Sequence, residues 1–233
     1  MTDQPLLLLG LVPGASEAPD AAPVHLRVAC GNGLDAIMTT TTAVPETEPE
    51  VEALRLAMLQ ASILSAYAVA GDVLPVALGA AFSDRNALVA HLRILSPQVE
   101  AERTALCGSA EYVVAIDKRE PVPLPAGLPE ESSYLRRRQA ERNARRSLDH
   151  DRQALVSRVL SALRLADARL APPRKPGHAS LVTVSALLRR TAAADVATAL
   201  DALGPEASRL ALGLRMIGPC APFSFVSPAR NDA

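Results

Sequence analysis

The sequence predicts an α+β chain in two domains. Three observations carry this. Apolar segments of strand length show period-two alternation, helical segments between them repeat apolar residues at three- and four-residue steps, and a Pro-rich break lies near mid-chain. At 233 residues, one or two domains are expected. Hydrophobic residues make up 49%, so a core can be buried. Aromatics are only 3% and Trp is absent, so that core rests on Leu, Val, Ile and Ala.

The apolar run Leu6–Leu9 opens a strand over 6–12 that ends at Pro13-Gly14. Asp3 stands where a signal peptide needs positive charge, so the run reads as a buried strand. Residues 24–29 and 34–41 read as two more strands around the turn Gly31-Asn32-Gly33, with Thr39–Thr42 suited to a sheet edge. After a loop from Pro45 to Pro49, residues 50–68 read as a helix whose inner stripe is Val51, Leu54, Met58, Ala61, Leu64 and Ala68. No stretch is read as approaching a membrane-spanning length. A short strand follows at Val73-Leu74. Ser83 or Asp84 caps a helix running to about Glu102, and Glu111–Asp117 alternates as a strand. The order β-β-β-α-(β)-α-β predicts an antiparallel sheet with helices on one face, a modified ferredoxin-like domain over 1–118.

Pro121, Pro123, Pro125, Gly127 and Pro129 make 119–131 a stiff linker. A second α+β domain over 132–228 opens with a long helix, 132–168, with an apolar stripe in its second half at Leu148, Leu155, Val159, Ala162, Leu163 and Ala166. A strand at Leu181–Ser185, a helix Thr191–Leu203 stopped by Gly204-Pro205, and a strand at 208–217 stopped by Gly218-Pro219 follow. Residues 229–233 form a tail. Phe223, Phe225 and Val226 make the segment before it too apolar to fray, so it docks on its own domain or on a partner.

The net charge of −1 provides no field for nucleic acid or anionic membrane. Arg136, Arg137, Arg138, Arg142, Arg145 and Arg146 form a basic run, but aromatic interleaving is almost absent and Asp149 and Asp151 balance its end. It reads first as a solvated face, with pairing to acidic groups on a protein as the functional alternative. His25, His91, His150 and His178 lack partners at ligand spacing, so no metal is expected. Cys30, Cys107 and Cys220 are far apart and odd in number, which favours reduced, buried thiols in a cytoplasmic protein. No Gly-x-Ser-x-Gly elbow or phosphate loop is present, so neither an enzymatic site nor a cofactor is expected. Leu74, Pro75 and Phe82 read equally as internal packing and as an edge where another chain can dock.

Three segments carry a resemblance. Leu74-Pro-Val-Ala-Leu-Gly79 through Phe82, Tyr134-Leu-Arg-Arg-Arg138 and Leu212 through Gly218-Pro-Cys-Ala-Pro-Phe-Ser-Phe225 occur in the order and spacing of the gas vesicle protein F/L family (GvpL/GvpF), which the chain resembles over about 6–226. The chain departs from that pattern at Ala77, Leu78, Cys220 and Ala221, and its first strand lacks the customary Tyr.

The resemblance implies a non-enzymatic accessory or minor structural protein of the gas vesicle in the cytoplasm, which binds the small apolar shell subunit during nucleation or assembly, with other gas vesicle accessory proteins as further partners. It implies partner contacts at Leu74, Pro75, Phe82, Tyr134, Arg136, Arg137, Gly218, Pro219, Pro222 and Phe223, and no cofactor, nucleic acid or lipid membrane. The alternative from another class is a small-molecule-binding or catalytic α+β protein with an interdomain site.

Overall fold

The computed structural model describes residues 5–20, 22–40, 49–119, 134–172 and 180–226. They form an α+β protein with two antiparallel-built sheets and helices, and they group into two compact units, Met1–Tyr112 with Gly218–Ala233, and Val113–Ile217. The expected linker 119–131 lies, apart from Arg119, outside the described residues, as does the tail 229–233. The segment from Gly218 groups with the N-terminal unit, although the sequence limits carry it with the second domain.

In the first unit the strands are β1 (Leu6–Pro13), β2 (Leu26–Gly31), β3 (Leu34–Thr40), β4 (Leu74–Pro75) and β5 (Ala81–Phe82), in the order β2-β3-β1-β4 with β5 also on β1. The helices are α1 (Pro49–Ala70), α2 (Arg85–Ile94) and α3 (Ser96–Leu106). The β2–β3 turn forms where Gly31-Asn32-Gly33 supplies three positive φ angles, 83°, 53° and 70°. β3 lies inside the sheet and Thr39 is buried, so Thr39 and Thr40 do not mark an edge; Thr41 and Thr42 lie outside the described residues.

β1 is covered on both faces, which corrects the expectation of helices on one face. Leu7, Leu9 and Val12 join Ile63, Leu64 and Tyr67 of α1 in one core cluster. Leu8 and Leu11 face the other way, lining a cavity with Leu92 of α2, Leu95 at the break between the helices and Val99 of α3. A strand buried on both sides needs an unbroken apolar run in place of alternation, and that is what Leu6–Leu9 supplies. Each fully buried Leu contributes about 2 kcal/mol. A register shift between Leu8 and Gly10 marks a bulge. A Cβ on Gly10 would sit 2.8 Å and 2.9 Å from the Leu64 Cδ atoms and 3.0 Å from the Leu74 carbonyl oxygen, so the glycine lets α1 close on the sheet.

The expected helix to Glu102 is two helices. Pro97 near the start of α3 has no N–H and its ring obstructs the carbonyl four residues earlier, so the chain breaks at Leu95. Asp84 caps α2, its carboxylate accepting the Ala87 N–H at 2.8 Å.

The second sheet comprises β6 (Ser109–Lys118), β7 (Arg169–Leu170), β8 (Ser180–Arg189) and β9 (Leu212–Cys220), in the order β7-β8-β6-β9. Its helices are α4 (Tyr134–Leu165, 32 residues) and α5 (Ala193–Arg209). Gly204-Pro205 does not stop α5: Pro205 lies inside it, because the buried stripe Val196, Leu200, Ala207 continues past the proline. α4 and α5 pack together. Leu155, Val159 and Leu163 of α4 are buried, Arg152 donates to the Leu210 carbonyl at 3.0 Å and 3.1 Å, and Arg158 pairs with Glu206.

Candidate functional site

β9 continues three residues beyond Ile217, through a cis Gly218-Pro219 bond to Cys220. Gly218 has φ 149°, and a Cβ there would lie 2.6 Å from Cδ1 of Tyr112 and 2.9 Å from the Glu111 carbonyl oxygen. Only glycine fits this approach. Ala221 is fully buried in the α1–β1 cluster, Pro222 is buried, and Phe223 packs against the same cluster. The chain then turns, with the Phe223 N–H donating to Ala221 and the Phe225 N–H to Pro222. The buried Glu111 carboxylate accepts the backbone N–H of Ser224 at 2.9 Å and its hydroxyl at 2.7 Å. A buried charge requires such donors. The segment is thus docked within the chain, on the N-terminal unit and not on the second domain with which the sequence limits carry it.

Burial first, and the Glu111 charge second, push the Cys220 thiol up from its ordinary pKa, while a hydrogen bond from Ser65 of α1 pulls the other way. Burial likewise raises Cys30. His25 bridges the Pro23 carbonyl at 2.7 Å and the Tyr67 hydroxyl at 2.8 Å, so its work is structural. Among the described residues no group of three His, Cys, Asp or Glu side chains is placed to hold a metal ion.

The upstream segment lines β1. Leu74 pairs with Leu11, Pro75 with Gly10, and Phe82 with Leu6. Leu74 and Pro75 are buried, whereas Phe82 is half-exposed with its ring 5.2 Å from that of His91. Buried Gln60 of α1 fixes this edge by donating to the carbonyls of Leu9 at 2.7 Å and Val76 at 2.8 Å. Leu78 and Phe223 reach the same core cluster, so two motifs far apart in sequence meet there. Arg136 and Arg137 are exposed on α4, in the other unit, and the Tyr134 side chain lies outside the described residues.

α1 departs most from expectation. Its inner face is Leu56, Leu59, Gln60, Ile63, Leu64, Tyr67 and Ala68. The first members of the expected stripe point outward: Val51 is 57% exposed, Leu54 62% and Met58 66%, with Val69 at 68%. α1 therefore carries two apolar stripes on opposite sides. By length and composition alone it could cross a membrane, contrary to the sequence reading, but here one side is built into the core. Sequence alone does not mark the outer stripe as surface, because its spacing is equally that of a core face.

A family model described as gas vesicle synthesis protein GvpL/GvpF matches residues 10–227. The fold is similar to the crystal structure of the gas vesicle protein GvpF from Anabaena sp. PCC7120, with a TM-score of 0.63, 14% identity, and 97% of each chain covered. It is similar as well to that of GvpF from Microcystis aeruginosa, with a TM-score of 0.57, 14% identity, and 96% of this chain and 99% of that one covered. No curated protein sequence matches. With nearly its whole length matched by the family model and its fold shared with two GvpF structures, the chain belongs to the GvpL/GvpF family of gas vesicle synthesis proteins.

Proposed function

We propose that the protein binds the small apolar shell subunit of the gas vesicle and assists nucleation or assembly of the shell, as a cytoplasmic or vesicle-associated component that performs no bond-making chemistry. The observation that carries this reading is family membership over residues 10–227. The physical logic supports it: a very apolar subunit released unshielded aggregates, and a protein presenting apolar surface can hold it until assembly. Other gas vesicle accessory proteins are further partners in the same reading. The first unit is taken as a modified ferredoxin-like domain, supported by its antiparallel sheet and the β-β-β-α-β-β-α-α order of its first elements.

Among the contacts chosen from sequence, Phe82, Arg136, Arg137, Gly218, Pro219 and Phe223 retain exposed surface for a partner. Leu74, Pro75 and Pro222 are buried and act by shaping that surface from beneath. Co-expression with a tagged shell subunit tests the reading. Retention of the intact protein through purification is expected, and its absence, together with normal vesicles in cells lacking the chain, would overturn it.

A further inference from the structure

The outer stripe of α1 runs Val51, Leu54, Met58, Ala61 and Ser65, with Val69 one turn further. Steps of three and four residues in this order are those of a coiled-coil seam, the pattern that receives the knobs of a second helix. Exposed Ala57, Ala61 and Ser62 are small enough to let another backbone approach closely. From Leu56 to Ala70 the helix carries no charged residue, although much of that length is solvent-exposed. The docked terminal segment packs on the same helix, with Ala221 and Phe223 at the cluster that holds Ile63, Leu64 and Tyr67.

We propose that this stripe docks an uncharged, apolar helix of the partner polypeptide; the inference rests on the reading of the protein as a shell-subunit binder. Three occupants compete, and chemistry separates them. A lipid surface calls for Lys or Arg flanking the apolar face, whereas the one cation of α1, Arg55, is paired with Glu52 at 2.6 Å. A second copy of this chain, meeting seam to seam, would cover too little: the stripe is about 27 Å long at 1.5 Å per residue and about 10 Å wide, roughly 270 Å² a side. Stable dimers bury about 800 Å² per partner. A contact of this size suits a partner that is held and then released, and an uncharged seam suits a partner helix that has no charges to satisfy.

The test uses the intact chain with Leu54→Glu and Met58→Glu together. Both side chains are exposed, so the melting temperature should move little. Retention of co-expressed shell subunit should fall about tenfold or more, since two anchor contacts are lost. Arg209→Glu, at an exposed position of α5 outside the candidate contacts, serves as a charge-matched control and should leave retention unchanged. If the intact protein retains the subunit and the double variant retains it equally, the stripe is not the site although the functional reading stands. If the intact protein retains none, the functional reading fails, and the stripe is judged by a second measurement. Met58→Trp introduces the only Trp of the chain. Its emission should shift to the blue on adding a synthetic Leu/Ala/Ser amphipathic helix that lacks Trp, and Leu54→Glu should abolish the shift. No shift overturns the inference whatever the co-purification shows. A concentration-dependent dimer removed by the double variant would reassign the surface to a second copy, and flotation with neutral phosphatidylcholine vesicles would reassign it to lipid.

Discussion

Glu111 and Ser224 are joined by two hydrogen bonds across 113 positions of sequence, 2.9 Å to the N–H and 2.7 Å to the hydroxyl. The carboxylate fixes the turn after Pro222, and Phe223 is held against the core cluster beside it. Glu111→Ala should destabilise the protein by about 2–3 kcal/mol, the range for hydrogen bonds to a charged group, and Ser224→Ala by about 1 kcal/mol. A double-mutant cycle by urea unfolding should give a coupling of about 1 kcal/mol. Additive effects would show that the pair does not act as a unit.

Gly218→Ala should cost about 3 kcal/mol, because the new Cβ meets a ring carbon at 2.6 Å and a backbone oxygen at 2.9 Å at a φ that L residues rarely adopt. Gly71→Ala is the contrast. Nothing lies within 4 Å of that added Cβ, so the change should be within about 0.5 kcal/mol of neutral. Thermal unfolding of the two variants checks the pair; equal effects would refute the packing argument.

Asp117 should contribute to acid sensitivity. Its carboxyl is held below the ordinary value by the Ser180 hydroxyl at 2.8 Å and then by Arg215. A depressed carboxylate contributes stability above its unfolded value, near pH 4, and loses it as pH falls through the lower folded value. Asp117→Asn should therefore lower Tm at pH 7, and the gap to wild type should close below about pH 4. A gap that is flat from pH 7 to pH 3 would exclude this role.

The three cysteines should label at different rates. Cys107 is exposed, whereas Cys30 and Cys220 are half-buried with thiols pushed up by burial, leaving little thiolate to react. Iodoacetamide at pH 8 followed by peptide mass mapping should find Cys107 modified first. Faster labelling at Cys220 would mean that the terminal segment opens.

Much of the fold was legible from local patterns. Leu6–Leu9 marked a buried strand, Gly31-Asn32-Gly33 a hairpin, and Glu111–Asp117 an alternating strand, because each depends on near neighbours alone. What failed depends on the rest of the chain. Residues 50–68 present two apolar stripes, and periodicity cannot say which meets a sheet; buried Gln60, bonded to the Leu9 and Val76 carbonyls, is the polar residue that marks the inner one. Pro205 reads as a stop, yet Ala207 beyond it is buried and the helix continues. Of the candidate contacts, the two motifs that meet at Leu78 and Phe223 were visible as sequence signatures. That part of them would be interior, with Pro222 and Leu74 out of solvent, follows only from long-range packing.

The limits of both compact units fall inside β6 and β9, so each of these strands serves two bodies along one backbone. Deletion from Leu212 onward would strip an outer strand from the second sheet and, with the same cut, pull Ala221 and Phe223 from the first unit's interior. Shortened proteins would therefore report collapse of both halves in place of a lost contact. Point replacements on exposed positions are the instrument this architecture permits.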